Sequence, residues 1–266
     1  MNLQPKTIDP GWSRRWTRQS VELFRRAPGL AIGIMALFSL VNVLIPQPIA
    51  LNVPLTVFMV GLLFSGLRAV DQDSGNILSA TWEFFRHSVH DLAYLARDAF
   101  LVMLAFSLMI GLFFVLYSGI THGAGAVISN PSYLHLPVWL REGVRREESM
   151  LVLGIFLPGV MPLVFLTLYV GNQPLLHYQT GFRAIILNLR LAYGVFMFGL
   201  LACSLLEPLL RQIPSLWIGL AMMLGCSVAF WWFGTWGYLW CREMFEGTRE
   251  NAKETAKRLS HVHAAA

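Results

Sequence analysis

The sequence is poor in charged residues. Aspartate, glutamate, lysine and arginine make up 13% of its 266 residues, whereas 56% are hydrophobic. Soluble globular domains contain about 25% charged and about 45–50% apolar residues. A charge content this low leaves too little polar surface to cover a water-soluble protein of this length, whereas a surface that faces lipid needs far less. The composition therefore predicts a polytopic membrane protein.

Catalytic and metal-binding signatures are also missing. The chain has three cysteines and none belongs to a CxxC pair, so the sequence gives no sign of a disulfide framework or a zinc site. No P-loop, GxSxG, dinucleotide-binding or kinase motif is present. We therefore expect no enzyme activity, no metal and no cofactor. The cysteines lie in or beside apolar runs and should pack as small hydrophobic residues: Cys203, Cys226 and Cys241.

Six apolar runs stand out, and none contains a charged residue or a histidine: 28–45, 53–67, 99–120, 150–170, 191–206 and 215–240. A helix satisfies every backbone polar group within one segment, and about 20 residues cross a bilayer. Runs this long and uniformly apolar do not fit barrel strands, which alternate. The expected fold is all-α, with a six-helix transmembrane domain over 28–240. Its spans cover about 28–47, 50–69, 99–120, 150–170, 187–207 and 215–240.

The basic residues predict the orientation of these spans. With six spans, 16 of the 20 lysines and arginines fall on the side of the two termini and 4 on the other side. The positive-inside rule then places both termini in the cytoplasm. Residues 1–27 form an interfacial helix, in which Arg25 and Arg26 precede Pro28, a residue suited to a first helical turn. Residues 241–266 form a charged cytoplasmic tail.

Three segments rich in aromatic and basic residues each precede a pair of spans. They are 12–26, 77–98 and 175–190. In the second segment Trp82, Phe85 and Val89 recur at helical spacing, with charged residues elsewhere. We interpret the three segments as amphipathic helices that lie on the inner leaflet. The recurrence of an interfacial helix followed by a helical hairpin predicts a triplicated unit.

Four residues in the second half of the chain are candidates for a functional site. Pro158 and Pro162 should kink the fourth span, and discontinuous helices line substrate paths in transporters, although such kinks often serve packing alone. Glu207 and Arg211 lie at the outer turn between the last two spans. A buried pair there would indicate a gate or a ligand site, and an exposed pair a contact at headgroup level.

The last span adds two aromatic candidates, Trp232 and Trp236. They fit an aromatic belt at the membrane edge, and the alternative is a lipid or quinone cleft. Small residues at four-residue spacing predict close helix contacts, either inside the bundle or in an oligomer. These pairs are Gly29/Gly33, Gly61/Ser65 and Gly225/Ala229.

Two short polar motifs allow a metal site but favour a structural interpretation. His87, His90 and Asp91 have a spacing at which a metal could be held, but we favour the polar face of an interfacial helix as their explanation. Asp71 and Asp73 resemble part of a calcium loop, but the final glutamate is missing. Aspartate is also common in the turns that end helices, which is the interpretation we favour.

The N-terminal stretch WSRRWTRQSVELFRRAPG, followed by a charge-free hairpin, resembles a broad group of uncharacterised proteobacterial inner-membrane proteins. The resemblance is clearest over residues 11–90. It implies six spans and a location in the bacterial inner membrane. The shared motifs concern entry into the membrane, so the resemblance implies no catalytic residue.

The expected function is therefore that of a scaffold or accessory subunit of a membrane process, which acts through protein or lipid contacts without catalysis. The alternative is a small-molecule or lipid transporter whose path is lined by the kinked fourth span. The expected partners are membrane lipids, together with other membrane proteins or further copies of the chain. Nucleic acid is not expected, because no aromatic and basic platform lies away from the predicted membrane edges.

Overall fold

The computed structural model describes residues 5–44, 49–122, 159–169, 174–191, 193–194, 221, 224–225 and 227–245. Within these ranges all regular structure is helical and no strand is formed, which confirms the all-α class. The principal helices are α1 (Trp12–Arg26), α2 (Pro28–Leu44), α3 (Ile49–Asp71), α4 (Ile77–His122), α5 (Gly159–Tyr169), α6 (Pro174–Leu187) and α7 (227–245).

The first two helices meet at a bend of 98°. Ala27 separates them with φ −141° and ψ 64°, because the ring of Pro28 disfavours the helical conformation in the preceding residue. Pro28 then begins α2, where its missing N–H costs no hydrogen bond. The Ala27 N–H still donates to the Leu23 carbonyl at 3.2 Å, so the break is tight.

The α3 helix ends in the turn that the sequence predicts. Asp73 has φ 48° and its N–H donates to the Val70 carbonyl at 3.2 Å. The Ser74 N–H donates to the Ala69 carbonyl at 3.1 Å, which completes a Schellman motif. The turn interpretation of the AVDQDSGN stretch is therefore confirmed.

The α4 helix differs from the expectation. The predicted interfacial helix (77–98) and the third span (99–120) form one continuous helix of 46 residues, about 69 Å long at 1.5 Å per residue. The physical reason is the absence of a helix breaker, since neither proline nor glycine occurs from Ile77 to Ile110. In the first predicted repeat, Pro28 breaks the chain between the interfacial helix and the span. The second predicted repeat has no such break, so the two repeats differ at this point.

The core is built around α3. Val57, Leu63 and Phe64 are fully buried there. Two glycines of α7 allow close approach, because a β-carbon at Gly234 would overlap Leu63 of α3 and one at Gly237 would overlap Met161 of α5. These contacts pack α7 directly against both α3 and α5.

One predicted small-residue pair lies inside this core. A β-carbon at Gly61 of α3 would lie 2.7 Å from Leu92 Cδ1 of α4, so this glycine permits the α3–α4 contact. At Gly29, Gly33 and Gly225 an added β-carbon meets no atom within 4 Å in the part of the chain that the structure describes.

By length and composition, one helical segment of the described chain could cross a membrane. It is Pro54–Asp71, with a mean hydropathy of 1.4. The bent pair Trp12–Arg26 and Pro28–Val41 adds a second if both helices belong to one span. The core helix of a soluble protein meets the same criteria, so the six spans stay a prediction.

Candidate functional site

Charged and aromatic side chains converge at the C-terminal ends of α3, α5 and α7. Arg242 donates from Nη1 to Asp71 Oδ1 at 2.7 Å, and the Tyr238 hydroxyl donates to Asp71 Oδ2 at 3.1 Å. The hydroxyl oxygens of Tyr169 and Tyr238 are 2.6 Å apart. Together with Arg68, these four residues form what we call the helix-end network. The side chains of Asp71 and Arg242 are only 26% and 19% exposed, so solvent screens the pair weakly.

Arg68 extends the network to α4. Its guanidinium carbon lies 4.4 Å from the ring centroids of both Phe84 and Tyr169, and Nη1 donates to the Leu168 carbonyl. Cation–π contacts of this kind stabilise by about 0.5–2 kcal/mol each. The network therefore joins α3, α4, α5 and α7. Its hydrogen bonds and cation–π contacts hold these helices together.

A second cluster holds α1 against α7. Trp16 Nε1 donates to Glu243 Oε2 at 2.8 Å, and Arg15 Nη2 donates to Glu243 Oε1 at 2.7 Å. The Trp236 ring lies edge-on to Trp12 and Trp16, with centroids 5.6 and 6.3 Å away. We call these five residues the N-terminal clasp.

Asn188 follows the last residue of α6 and separates α6 from a short helical stretch at 189–191. Its side chain holds the segment before α1 by hydrogen bonds. The Ile8 N–H donates to Asn188 Oδ1 at 3.1 Å, and Asn188 Nδ2 donates to the Lys6 carbonyl at 3.2 Å. The Lys6 N–H donates to the Met244 carbonyl at 3.2 Å. Residues far apart in the sequence are therefore joined at one end of the molecule.

The predicted site residues fall in separate places. Pro162 is buried in α5, 3.9 Å from the position that a Gly181 β-carbon would occupy, so it packs against α6. Trp232 and Trp236 have ring centroids 6.1 Å apart, and Trp236 belongs to the clasp. Three further candidates lie outside the described residues: Pro158, Glu207 and Arg211.

A cleft of about 350 Å³ lies between α4, α5 and α6. The interpretation we favour from the sequence put His90 and Asp91 on a polar helix face, and the structure places both in this cleft. The other polar side chains at its wall come from all three helices: Tyr94, Arg97, Asp98, Thr167, His177 and Tyr178.

Asp98 is the best-connected carboxylate of the cleft. Arg97 Nη2 donates to Oδ1 and the Tyr178 hydroxyl donates to Oδ2, each at 2.8 Å. Burial by itself raises the pKa of Asp98, but these hydrogen bonds outweigh it and the net pKa is lowered. Burial, together with the neighbouring Asp98 charge, raises the pKa of Tyr178. Both oxygens of Asp98 are thus occupied.

His177 and Asp91 are less well satisfied. His177 is 5% exposed, and its Nε2 atom is buried with no hydrogen-bond partner in the described structure. Burial lowers the pKa of His177, and the Asp91 charge opposes this shift only in part. His90 Nδ1 is the nearest cationic candidate for Asp91 and lies 3.9 Å away.

The structure places the residues of the proposed metal motifs in other contacts. His87 Nδ1 lies 2.8 Å from the Glu83 carbonyl oxygen, and Asp71 is paired with Arg242. Within the described ranges, no three residues of the histidine, cysteine, aspartate and glutamate types are grouped so that they could hold a metal ion. Cys241 is buried and free.

The α6 helix buries the opposite surface from the one expected in water. Its inner face is small or polar: His177, Thr180, Gly181, Ala184 and the following Asn188 are buried. Its outer face carries large apolar side chains, with Phe182 65% and Ile186 56% exposed. The first turns of α4 are similar, since Leu78 and Trp82 are exposed and Thr81 is buried.

Each of the three predicted interfacial segments buries at least one hydroxyl: Ser20 in α1, Thr81 and Ser88 in α4, and Thr180 in α6. The sequence carries a signal for Ser20 and Ser88, since RQSV at 18–21 and RHSV at 86–89 share a pattern. This supports the triplicated unit, which stays a prediction.

No family model, curated protein or solved structure matches this chain. The resemblance to six-span inner-membrane proteins therefore stays an expectation, and function has to be argued from the geometry.

Proposed function

We propose that this chain is an integral protein of the bacterial inner membrane, with six spans and both termini in the cytoplasm. In this proposal it acts as a scaffold or accessory subunit through protein and lipid contacts, without catalysis. The observation that carries the proposal is the outer face of α6, where Phe182 and Ile186 are exposed while polar groups are buried.

The energetic argument is direct. Burying a large apolar side chain stabilises by about 1.5–3 kcal/mol relative to leaving it in water. Tyr178, Phe182, Ile186 and Leu189 form one outward stripe at helical spacing, and in water their exposed surface would gain none of that stabilisation. Lipid supplies the apolar surroundings that the stripe lacks in the fold.

The flanks of the stripe fit the edge of a bilayer. Arg183 on α6 and Arg190, just after α6, are exposed beside it. An interfacial helix has this arrangement, with apolar side chains below the headgroups and basic ones among them. Arginines near anionic lipid contribute about 1 kcal/mol each.

The joint between α1 and α2 supports the same geometry. A helix on the membrane surface and a span that crosses the membrane meet at about a right angle, and the bend here is 98°. The outward residues of α1 include Arg14, Arg18 and Arg25, which would face headgroups and water. The inward side is held by the N-terminal clasp.

The scaffold role is supported by the kind of contact that the polar residues make. In the helix-end network, Asp71 accepts from both Tyr238 and Arg242, and Arg68 is held between two rings. In the clasp, Glu243 accepts from two side chains of α1. Groups bonded in this way hold a rigid frame together, which is what a docking platform requires.

Reporter fusions and extraction test the location. Alkaline phosphatase fused after Gln47 or Gly143 should be active, because both positions are predicted to lie outside the cytoplasm, and a fusion at Ala266 should be inactive. The chain should also stay in the membrane pellet after alkaline carbonate. An active Ala266 fusion, or release of the chain by carbonate, would contradict the proposed topology.

Co-purification tests the scaffold role. The full chain, extracted in mild detergent, should carry a stoichiometric protein partner that mass spectrometry identifies. The matched control is the Glu243→Gln variant, which weakens the internal clasp and not the outer apolar stripes, so it should retain the partner. Repeated isolation of the chain with no partner would contradict the scaffold role.

Transport is the second candidate, because one wall of the cleft belongs to α5, the described part of the predicted fourth span. Leu163 and Thr167 line that wall, one and five residues after Pro162. Proteoliposomes with a fluorescent phospholipid test this function. Accelerated exchange between leaflets that Pro162→Ala or Trp232→Ala abolishes, in a correctly inserted protein, would favour transport over the scaffold.

A further inference from the structure

Two arginines beside the outer stripe of α6 have no carboxylate partner. Arg183 and Arg190 are exposed, and in the part of the chain that the structure describes neither takes part in an ion pair or a hydrogen bond. No aspartate or glutamate occurs from Pro174 to Arg190, so nothing in this segment compensates the two positive charges. Other arginines of the fold lie within 2.8 Å of a carboxylate oxygen: Arg15, Arg26, Arg97 and Arg242. The charge of α6 is therefore available to a ligand.

Helical spacing places these arginines against the apolar side chains. Ile186 comes three residues after Arg183 and four residues before Arg190, and residues at these spacings are neighbours on a helix surface. All three side chains are exposed, and so are Phe182 and Leu189 next to the arginines in sequence. Unpaired positive charge and apolar surface thus lie side by side on one face.

The other two predicted interfacial segments lack this combination. In α1 five arginines outnumber one glutamate, but Trp16 and Leu23 are buried, and of the large hydrophobic residues of this helix Phe24 alone is exposed. In residues 77–98 of α4, Leu78 and Trp82 are exposed, but three carboxylates outnumber two arginines. Of the three segments, α6 is therefore the one that can hold an apolar chain and an anion together.

We propose that the outer face of α6 selects anionic phospholipids. This inference rests on the proposed membrane location and adds the class of lipid to it. The acyl chains cover Phe182 and Ile186, and the headgroup phosphate accepts hydrogen bonds from the guanidinium groups of Arg183 and Arg190. A zwitterionic headgroup also carries a positive charge, which these arginines repel. An anionic headgroup has a net negative charge and binds more tightly.

A protein partner fits this face less well than lipid. An amphipathic helix of a partner docks in a hydrophobic groove. The side chains of the outer stripe instead project from a single helix, and Phe182 is 65% exposed. Acyl chains can follow such a convex surface, because they have no fixed shape.

The test is a lipid titration of the full-length chain in mild detergent, read by native mass spectrometry. Phosphatidylglycerol, which is anionic, is compared with phosphatidylcholine, which is zwitterionic and carries the same acyl chains. Phosphatidylglycerol should bind at least about fivefold more tightly, which is the preference expected from one arginine near an anionic lipid. Equal binding of the two lipids by the wild-type chain would overturn the proposal, and this comparison does not depend on the folding of any variant.

Two double variants locate the preference. Arg183→Gln with Arg190→Gln should reduce it to near unity. Arg14→Gln with Arg18→Gln is the matched control, because it removes the same charge from exposed positions of α1, and it should keep the preference. Equal losses in the two variants, in proteins that melt like the wild type, would overturn the proposal, because the preference would then follow net charge and not α6.

Further arms distinguish the other occupants. Glycerol phosphate at millimolar concentration has the anion without the chains, and it should not displace phosphatidylglycerol. Displacement would assign the arginines to a soluble phosphate and overturn the lipid source. Loss of a co-purified protein from the Arg183→Gln and Arg190→Gln variant, with the lipid preference unchanged, would assign the face to a protein.

Failure of this inference is distinguishable from failure of the proposed function. Absence of a lipid preference in a chain that resists carbonate extraction would contradict this inference alone. Release of the chain by carbonate would contradict the proposed membrane location.

Discussion

The α1 and α6 helices have similar lengths but bury opposite kinds of surface. On α1 the inward side chains include Trp16 and Leu23, and arginines face outward. On α6 the inward side is small and polar, and Phe182 and Ile186 face outward. The first pattern is that of a helix whose outer face meets water or headgroups. The pattern of α6 is that of a helix whose outer face meets a hydrocarbon environment. The contrast between α1 and α6 therefore marks the edge of the proposed membrane.

The largest expected effect separates two aromatic residues, one from each helix. Trp16→Ala should lower the free energy of unfolding by about 3–5 kcal/mol, because it empties a buried site and removes a hydrogen bond to Glu243. Phe182→Ala on the outer stripe should change it by less than about 1 kcal/mol. Denaturant unfolding of the full chain in detergent micelles measures both. Equal losses would erase the contrast between the helices.

A polar residue inside the α6 region should matter more than an apolar one outside it. Asn188→Leu should destabilise the fold by about 2–3 kcal/mol, because the Ile8 N–H and the Lys6 carbonyl lose their partner. Leu189→Asn next to it changes an exposed position and serves as the control, with little effect on unfolding in micelles. If Asn188→Leu were more stable than Leu189→Asn, the polar side chain of Asn188 would not be required for the stability of the fold.

The pH dependence of stability should report on His177. Burial lowers its pKa in the folded state, so the unfolded chain binds the proton more readily. The contribution of His177 to the free energy of unfolding is complete above the ordinary histidine pKa. It is lost as the pH falls from that pKa through the lowered pKa of the folded state. His177→Gln should flatten the decline of the melting temperature between about pH 7 and pH 5. His87→Gln, at an exposed position of α4, is the matched control, and an identical effect of both variants would refute this assignment.

The smallest expected effect is on α1. Ser20 is 1% exposed and its hydroxyl oxygen has no hydrogen-bond partner within the described ranges. Ser20→Ala should therefore leave the free energy of unfolding unchanged or raise it slightly, by up to about 1 kcal/mol. Thermal unfolding checks this, with Thr167→Val as a comparison that removes a hydroxyl bonded to the Leu163 carbonyl at 2.9 Å. A clear loss in the alanine variant would mean that Ser20 has a partner in solution.

The parts of the fold that were predictable are those encoded by neighbours in the sequence. Pro28 breaks the chain between α1 and α2, and the AVDQDSGN stretch ends α3 in a turn. The long α4 could have been inferred from its lack of proline and glycine, but the change from mixed to apolar residues near Asp98 suggested two elements. Composition changes along a helix do not break its backbone hydrogen bonds.

The contacts that define the candidate site were not predictable, because they join distant residues. Asp71 and Arg242 are 171 positions apart, and each had a sufficient local explanation as a turn or tail residue. Asp91 and His177 line the same cleft only because the fold brings α4 and α6 together, where the Tyr178 hydroxyl donates to Asp98. The outer stripe of α6 is visible in the sequence as apolar residues at helical spacing, but the sequence alone does not say which face is buried.

The most direct test of the membrane proposal compares spin labels on the two helices in lipid bilayers. Single cysteines would replace Phe182 on α6 and Arg14 on α1, in a full-length chain whose native cysteines are changed to alanine. The account predicts that the label at 182 collides mainly with oxygen, which partitions into lipid, and that the label at 14 collides mainly with a water-soluble nickel chelate. Equal access of the nickel chelate to both labels would contradict it.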